Sequence, residues 1–191
     1  MNILVTGARG FVGRNLVESL KNIRDNKDRT RPELKIDSIF EYDIGTDSAE
    51  LERFCKDTDF VFDFAGVNRP KDSSEFVTGN VGFTSELIGL LEKHNNTCPI
   101  VFSSSVQATL AGRYANSEYG KSKLTAENLF LDYAKRTGAR VLVYRFPNLF
   151  GKWCHPNYNS AVATFCNNIA NDLPITVNDP SVELHLVYID D

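Results

Sequence analysis

The sequence predicts an α/β fold, a doubly wound parallel sheet of Rossmann type. Apolar runs of strand length alternate with stretches of helical period along most of the 191 residues, and a glycine-rich turn joins the first run to the first helical stretch. The composition, 42% apolar and 24% charged, is that of a globular chain long enough to bury a core and carry a cleft.

Ile3 to Val5 is a strand-length apolar run ending at Thr6-Gly7, and Val12, Leu16, Leu20 and Ile23 then recur at helical spacing. Asp25 to Pro32 is a charged stretch closed by proline and reads as a solvated loop, at the edge of the sheet away from ligands. A second strand follows at Ile36 to Tyr42, a helix at Ser48 to Lys56, and a strand at Asp59 to Phe64. A helix near Thr78 to His94 leads to a strand at Ile100 to Ser103. A long helix from about Asn116 to Arg136 leads to a last clear strand, Arg140 to Phe146. This alternation implies right-handed crossovers and a sheet covered on both faces.

Residues 1–150, with a glycine-rich turn at Gly7, Gly10 and Gly13 between the first strand and the first helix, read as a dinucleotide-binding domain. After Gly151 the periodicity weakens, with a helix near Ala161 to Ala170 and a short strand at Leu184 to Ile189. Residues 151–191 read as the start of a substrate-covering lobe, expected to be truncated because the sequence stops directly behind an apolar strand.

The net charge of −4 leaves no basic surplus for a phosphate backbone, so nucleic acid is not an expected partner. No run resembles a signal peptide or approaches a membrane span, and a cytoplasmic protein is expected. Cys55, Cys98, Cys154 and Cys166 form no Cys-x-x-Cys pair, and His94, His155 and His185 are scattered, so free thiols and no metal are expected.

Three motifs carry chemistry. Gly7, Gly10 and Gly13 lie three apart between strand and helix, in the run Gly7-Ala8-Arg9-Gly10-Phe11-Val12-Gly13. The first allows a tight turn, the second lets a pyrophosphate approach the backbone, and the third permits close helix packing. Glu41 or Asp43, at the end of the second strand, would bond the ribose 2′-hydroxyl of NAD, whereas Arg9 would accommodate the 2′-phosphate of NADP. Arg9 tips the expectation to NADPH.

Tyr119 and Lys123 stand at i and i+4 of a helix, so both emerge on one face. An ammonium beside a phenol lowers the phenol's pKa from about 10 toward neutrality, where it can exchange a proton with a carbonyl or alcohol oxygen. Alone this would be an ordinary surface pair. Ser103-Ser104-Ser105 ends an apolar strand on the same sheet edge and supplies a hydroxyl for the reacting oxygen.

These motifs, with Phe64-Ala65-Gly66, Asn80 and Arg145-Phe146-Pro147-Asn148-Leu149-Phe150-Gly151, resemble the extended short-chain dehydrogenase/reductases that act on nucleotide sugars. The resemblance implies Tyr119 as general acid/base, Lys123 holding the nicotinamide ribose, and Ser105 polarising the carbonyl, with Ser104 as fallback. It implies Asn80 in support of the proton relay, Ala65, Gly66 and Pro147 bordering the cofactor, and Asn148 reaching the sugar-nucleotide diphosphate. The Ser105–Tyr119 interval is shorter than in many members. Val106 and Gln107 stand where a dehydratase of this family carries an Asp-Glu pair, which argues against dehydration.

Phe64 to Pro70 and Gly151 to Asn159 resemble, more narrowly, the reductase domains of capsular polysaccharide synthesis. That resemblance implies NADPH-dependent reduction at C4 of a UDP-2-acetamido-2,6-dideoxy-4-ketohexose, toward UDP-N-acetyl-L-fucosamine, with Asn159 among the substrate-binding residues. A metal-binding cupin domain follows in those enzymes, and no part of it is visible here. A homodimer is expected of the fold. The alternatives are an NAD-retaining C4 epimerase and a non-catalytic dinucleotide-binding module.

Overall fold

The computed structural model describes residues 1–191 apart from residues 69, 71, 73 and 159. The chain forms two compact units, Met1–Arg145 and Phe146–Asp191. The first begins with β1 (Asn2–Thr6), α1 (Phe11–Arg24), β2 (Ser38–Tyr42), α2 (Ser48–Asp57) and β3 (Phe60–Asp63). Next come a single turn α3 (Ser74–Phe76), a π-helical turn Val77–Gly82, α4 (Phe83–Lys93) and β4 (Ile100–Ser105). Two 3₁₀ turns, Val106–Thr109 and Gly112–Tyr114, precede α5 (Glu118–Thr137) and β5 (Val141–Phe146).

The five strands form one sheet in the order β2-β1-β3-β4-β5. β1 pairs in parallel with β2 (Asn2 opposite Ser38) and with β3 (Ile3 opposite Phe60). Because strand side chains alternate, Ile3 and Val5 join a core with Val17, Leu20 and Ile23 of α1, while Leu4 joins Leu51, Leu87, Phe102, Phe130 and Tyr133 on the other face. A strand buried on both faces must be apolar throughout, which is why β1 reads as an unbroken run.

The helix ends follow local chemistry. Asp47 accepts from Ala49 N at 3.0 Å to start α2, and Ser117 accepts from Gly120 N at 2.9 Å to start α5. Gly138, at φ +77°, ends α5 in the left-handed region that a side chain would disfavour.

Where one helix is predicted from Thr78 onward, the chain runs through the π turn before α4 begins at Phe83. Side-chain periodicity does not distinguish the wider turn from an α-helix over so few residues. The predicted charged loop, Asp25 to Pro32, is exposed almost throughout.

In the second unit β6 (Asn148–Phe150) pairs in parallel with β7 (Leu186–Tyr188), and α6 (Ala161–Ala170) is capped by Ser160. The predicted last strand is thus trimmed at both ends, and β6 is not predicted at all. Three residues with a partner far along the chain leave no periodic signal. Among the described residues no helix is long and apolar enough to cross a membrane.

Candidate active site

The first unit's site is built at the carboxyl ends of β1, β3 and β4. The glycine loop leaves β1 at Gly7, whose φ is +64° and where an added Cβ would lie 2.7 Å from the Phe64 carbonyl carbon. At Gly13 a Cβ would stand 2.1 Å from Gly7 O, so α1 packs directly on the loop's backbone. Gly10 N donates to Gly7 O at 3.0 Å. Gly10 starts α1 without a side-chain cap, and no acidic residue occupies its first turn, Phe11 and Val12 included. The first amides of α1 thus present the positive end of the helix dipole to an anion.

Asp43 stands just beyond β2. Its Oδ2 accepts from Arg9 N at 2.6 Å and its Oδ1 from Ile44 N at 2.7 Å, while Ala8 N donates to Tyr42 O at 3.2 Å. Glu41, the other acidic candidate, is tied to Lys21 of α1 at 2.9 Å. The sequence left the two open; the geometry brings Asp43 to the loop and takes Glu41 away from it.

β3 exits beneath this loop. Thr6 Oγ1 donates to Asp63 Oδ1 at 2.5 Å and accepts from Ala65 N at 3.1 Å, stitching the glycine loop to the Ala65-Gly66 segment. A Cβ on Gly66 would meet Asn80 Oδ1 at 2.9 Å and Lys123 Nζ at 3.1 Å. The missing side chain is what lets these groups converge.

Asn80, buried in the π turn, braces that segment. Its Oδ1 accepts from Val67 N at 2.8 Å, and its Nδ2 donates to Val67 O at 3.2 Å and Ser122 Oγ at 2.9 Å. Ser122 Oγ in turn donates to Tyr119 O at 2.8 Å. The Asn80 amide therefore holds backbone on both sides of the site.

Each serine of the β4 end has a different task. Ser103 Oγ donates to Asp63 O at 3.1 Å, and Ser103 O accepts from Lys123 Nζ at 2.9 Å. Ser104 Oγ donates a hydrogen bond to Glu127 Oε1. Ser105 accepts from Gln107 N at 3.2 Å, which leaves its own proton for another acceptor. Ser104 is committed within the protein.

Tyr119 and Lys123 share one face of α5, as their spacing predicts. The Tyr119 ring packs 5.8 Å from that of Phe76. Lys123 is 4% exposed, and its Nζ lies 4.9 Å from the Phe102 ring centroid. Burial pushes the Lys123 ammonium down to about 8, opposed by Asp63 and Glu127. The expected lowering of the Tyr119 phenol is not seen: burial instead pushes it up to about 12. Desolvation penalises the phenolate, and the ammonium that would compensate is bonded to Ser103 O.

One turn beyond Lys123, Glu127 accepts from Arg145 Nε at 2.9 Å and from its terminal nitrogen at 2.6 Å. Burial works against this carboxylate, but the bonds from Arg145 and Ser104 hold its pKa below the ordinary value. Sequence reading missed Glu127 as a member of the site, though its spacing of i+4 from Lys123 places it on the same face. It also missed Asp63, which only the pairing of β1 with β3 brings to Thr6.

Pro147 and Asn148 belong to the second unit, where Asn148 Nδ2 donates to His185 O at 3.4 Å. Asn159 lies outside the described residues.

A glycine loop on a helix N-terminus, an acidic residue beyond β2 and a Ser-Tyr-Lys set at one sheet edge define a nicotinamide dinucleotide-binding fold of the short-chain dehydrogenase/reductase type. The chain belongs to the NAD dependent epimerase/dehydratase family, whose profile matches residues 3–191. It is 42% identical, over all 191 residues, to a UDP-2-acetamido-2,6-beta-L-arabino-hexul-4-ose reductase of Pseudomonas aeruginosa, covering 47% of that protein. Its fold matches the crystal structure of the capsular polysaccharide assembling protein CapF from Staphylococcus aureus with a TM-score of 0.80 and 42% identity, over 100% of this chain and 46% of that one. A UDP-glucuronic acid 4-epimerase from Bacillus cereus in complex with NAD matches at TM-score 0.77, with 22% identity, over 100% of this chain and 70% of that one, a likeness of fold. The chain spans about half the length of the reductase and of CapF.

Proposed function

We propose that this chain is the reductase portion of a nucleotide-sugar enzyme that reduces the C4 ketone of a UDP-2-acetamido-2,6-dideoxy-4-ketohexose with NADPH, in capsular polysaccharide synthesis in the cytoplasm. The observation that carries the reading is the 42% identity to the 4-ketose reductase along the entire chain, in a protein whose site keeps a free serine proton, a phenol and an ammonium at one sheet edge.

The residues present fit a dinucleotide: Gly7 and Gly13 let the loop pack against Phe64 and against α1 with no side chain between, and the N-terminus of α1 behind it is uncapped by any side chain and free of acidic residues in its first turn. In this reading Gly7, Ala8, Arg9, Gly10, Phe11, Val12 and Gly13 hold the pyrophosphate, Asp43 and Arg9 meet the adenosine ribose, and Ala65, Gly66 and Pro147 border the nicotinamide half. The cofactor supplies the hydride that C4 receives. Ser105 donates a hydrogen bond to the ketone oxygen, and Tyr119 gives that oxygen its proton as negative charge develops there. Lys123 holds the nicotinamide ribose, its ammonium aimed there from the Ser103 carbonyl. Asn80 keeps the Val67 backbone and the first turn of α5 in register for these groups. Asn148 and Asn159 are assigned to the sugar nucleotide, the second unit to the beginning of a substrate-binding lobe, and the assembly to a homodimer.

The test is oxidation of NADPH by this chain with the UDP-4-keto-6-deoxy-N-acetylhexosamine, beside NADH and beside Tyr119→Phe. Turnover that prefers NADPH and drops about a thousandfold or more in the variant, with cofactor affinity retained, is the expected result. Near-normal turnover in Tyr119→Phe would overturn the assignment.

A further inference from the structure

The catalytic reading gives Asp63 no task, yet its position is costly. It is 0% exposed at the carboxyl end of β3, Oδ1 accepts the Thr6 hydroxyl, and Oδ2 has no hydrogen-bond partner among the described residues. A buried carboxylate with an unsatisfied oxygen is destabilising unless a charge answers it. Ser103 links Asp63 to Lys123, its Oγ donating to Asp63 O and its O accepting from Lys123 Nζ.

We infer that Asp63 is a positioning residue that acts on the reaction through Lys123: it is the buried counter-charge that keeps the Lys123 ammonium protonated and aimed at the cofactor ribose. The inference rests on the assignment of Lys123 to that ribose.

Among the described residues the charged and titratable groups around Lys123 are Asp63 from β3 and Tyr119 and Glu127 from α5, with Arg145 of β5 bonded to Glu127. β4 and the π turn offer only neutral groups there, the serines and Asn80. Tyr119 is neutral, its phenol pushed up to about 12. Glu127 is already matched by the two-pronged bond from Arg145, so much of its charge is cancelled. Among the described residues no cation is bonded to Asp63 in that way, and its pull on Lys123 exceeds that of Glu127.

The coupling is mutual. Burial pushes Asp63 up to about 6, with Thr6 and the Lys123 charge pulling it down. Were Asp63 neutral, burial would act on Lys123 with only the partly cancelled Glu127 to oppose it. The ammonium would then discharge within the working pH range.

Lysine side chains carrying ¹³C at Cε report their own titration by NMR without any cofactor, and Lys123→Met identifies the signal. In Asp63→Asn, which keeps the shape and an acceptor for Thr6, the Lys123 midpoint is expected to fall by about one pH unit or more. Glu127→Gln should lower it less. Reciprocally, Lys123→Met should raise the Asp63 midpoint, read from side-chain carboxyl carbons, so the coupling remains measurable even if Asp63→Asn fails to fold.

With NADPH present, the affinity loss in Asp63→Asn should grow at least severalfold between pH 6.5 and pH 8.5. A purely structural role would reduce affinity by the same factor at every pH, and that result would overturn the inference. An unmoved Lys123 midpoint in Asp63→Asn, or an unmoved Asp63 midpoint in Lys123→Met, would do the same. Undiminished cofactor affinity in Lys123→Met would instead remove Lys123 from the ribose, a failure separate from the titration result.

Discussion

The two ends of the sheet are both held by polar groups, but of different kinds. At the amino end the groups that tie the loops to the strands, Thr58, Asn96 and Tyr133, are neutral. Thr58 Oγ1 accepts from Leu4 N at 3.1 Å and donates to Phe60 O at 2.8 Å. Asn96 Nδ2 donates to Cys55 O and Thr58 O, both at 2.8 Å, and the Tyr133 hydroxyl donates to Asn96 O at 2.8 Å. At the carboxyl end the buried groups include Asp63, Lys123 and Glu127. Neutral, satisfied networks stabilise a fold, whereas buried charges trade stability for chemistry. The helix α5 serves both: Tyr119 and Lys123 near its start belong to the site, and Tyr133 near its end ties down a loop.

The sharpest way to break the contrast is at the glycine loop. Gly13→Ala places a methyl 2.1 Å from Gly7 O, so backbone must move at the phosphate cradle. Dinucleotide affinity is expected to fall at least about a hundredfold by fluorescence titration, since a displaced loop loses several charge-assisted bonds at once. A loss under about threefold would show that the loop does not hold the cofactor.

The cost of the buried acid can be read next. The folded state holds the Asp63 pKa at about 6, above the ordinary 3.8, so folding takes up a proton between those values. The wild type's stability relative to Asp63→Asn is therefore greatest below pH 3.8 and declines as pH rises through about 6. The decline should be on the order of 2 kcal/mol in paired urea titrations. A constant difference across that window would contradict the buried titration.

Arg9→Ala is expected to weaken NADPH about tenfold while changing NADH little, the effect of losing one charged partner of the 2′-phosphate. Equal losses for the two cofactors would move the specificity to Asp43. The smallest effect belongs to the amino end: Tyr133→Phe should cost about 1 kcal/mol of stability by removing one hydrogen bond, with cofactor affinity and turnover unchanged. A fall in turnover would mean that α5 transmits strain between its two ends.

The same contrast governs what the sequence made legible. Glycine spacing, the Tyr119–Lys123 interval and strand-length apolar runs are local patterns, and the structure realises them where the pattern places them. The Thr6–Asp63 bond and the bridge from Arg145 to Glu127 join residues from different elements, so no periodicity marks them. The phenol's titration was misjudged for a related reason. Helical spacing shows that Tyr119 and Lys123 share a face, but not that Ser103 O takes the ammonium or that burial outweighs it.

The strand order has a consequence for how the molecule comes to be. β1, the first of these five strands in chain order, lies inside the sheet, with β2 on one side and β3, β4 and β5 added in turn on the other. Every later strand meets an edge that already exists, and none has to wedge itself between two partners already paired. The nascent chain can thus lay down its sheet in the order of translation, sparing a parallel architecture some of the slow, aggregation-exposed search that distant pairings impose.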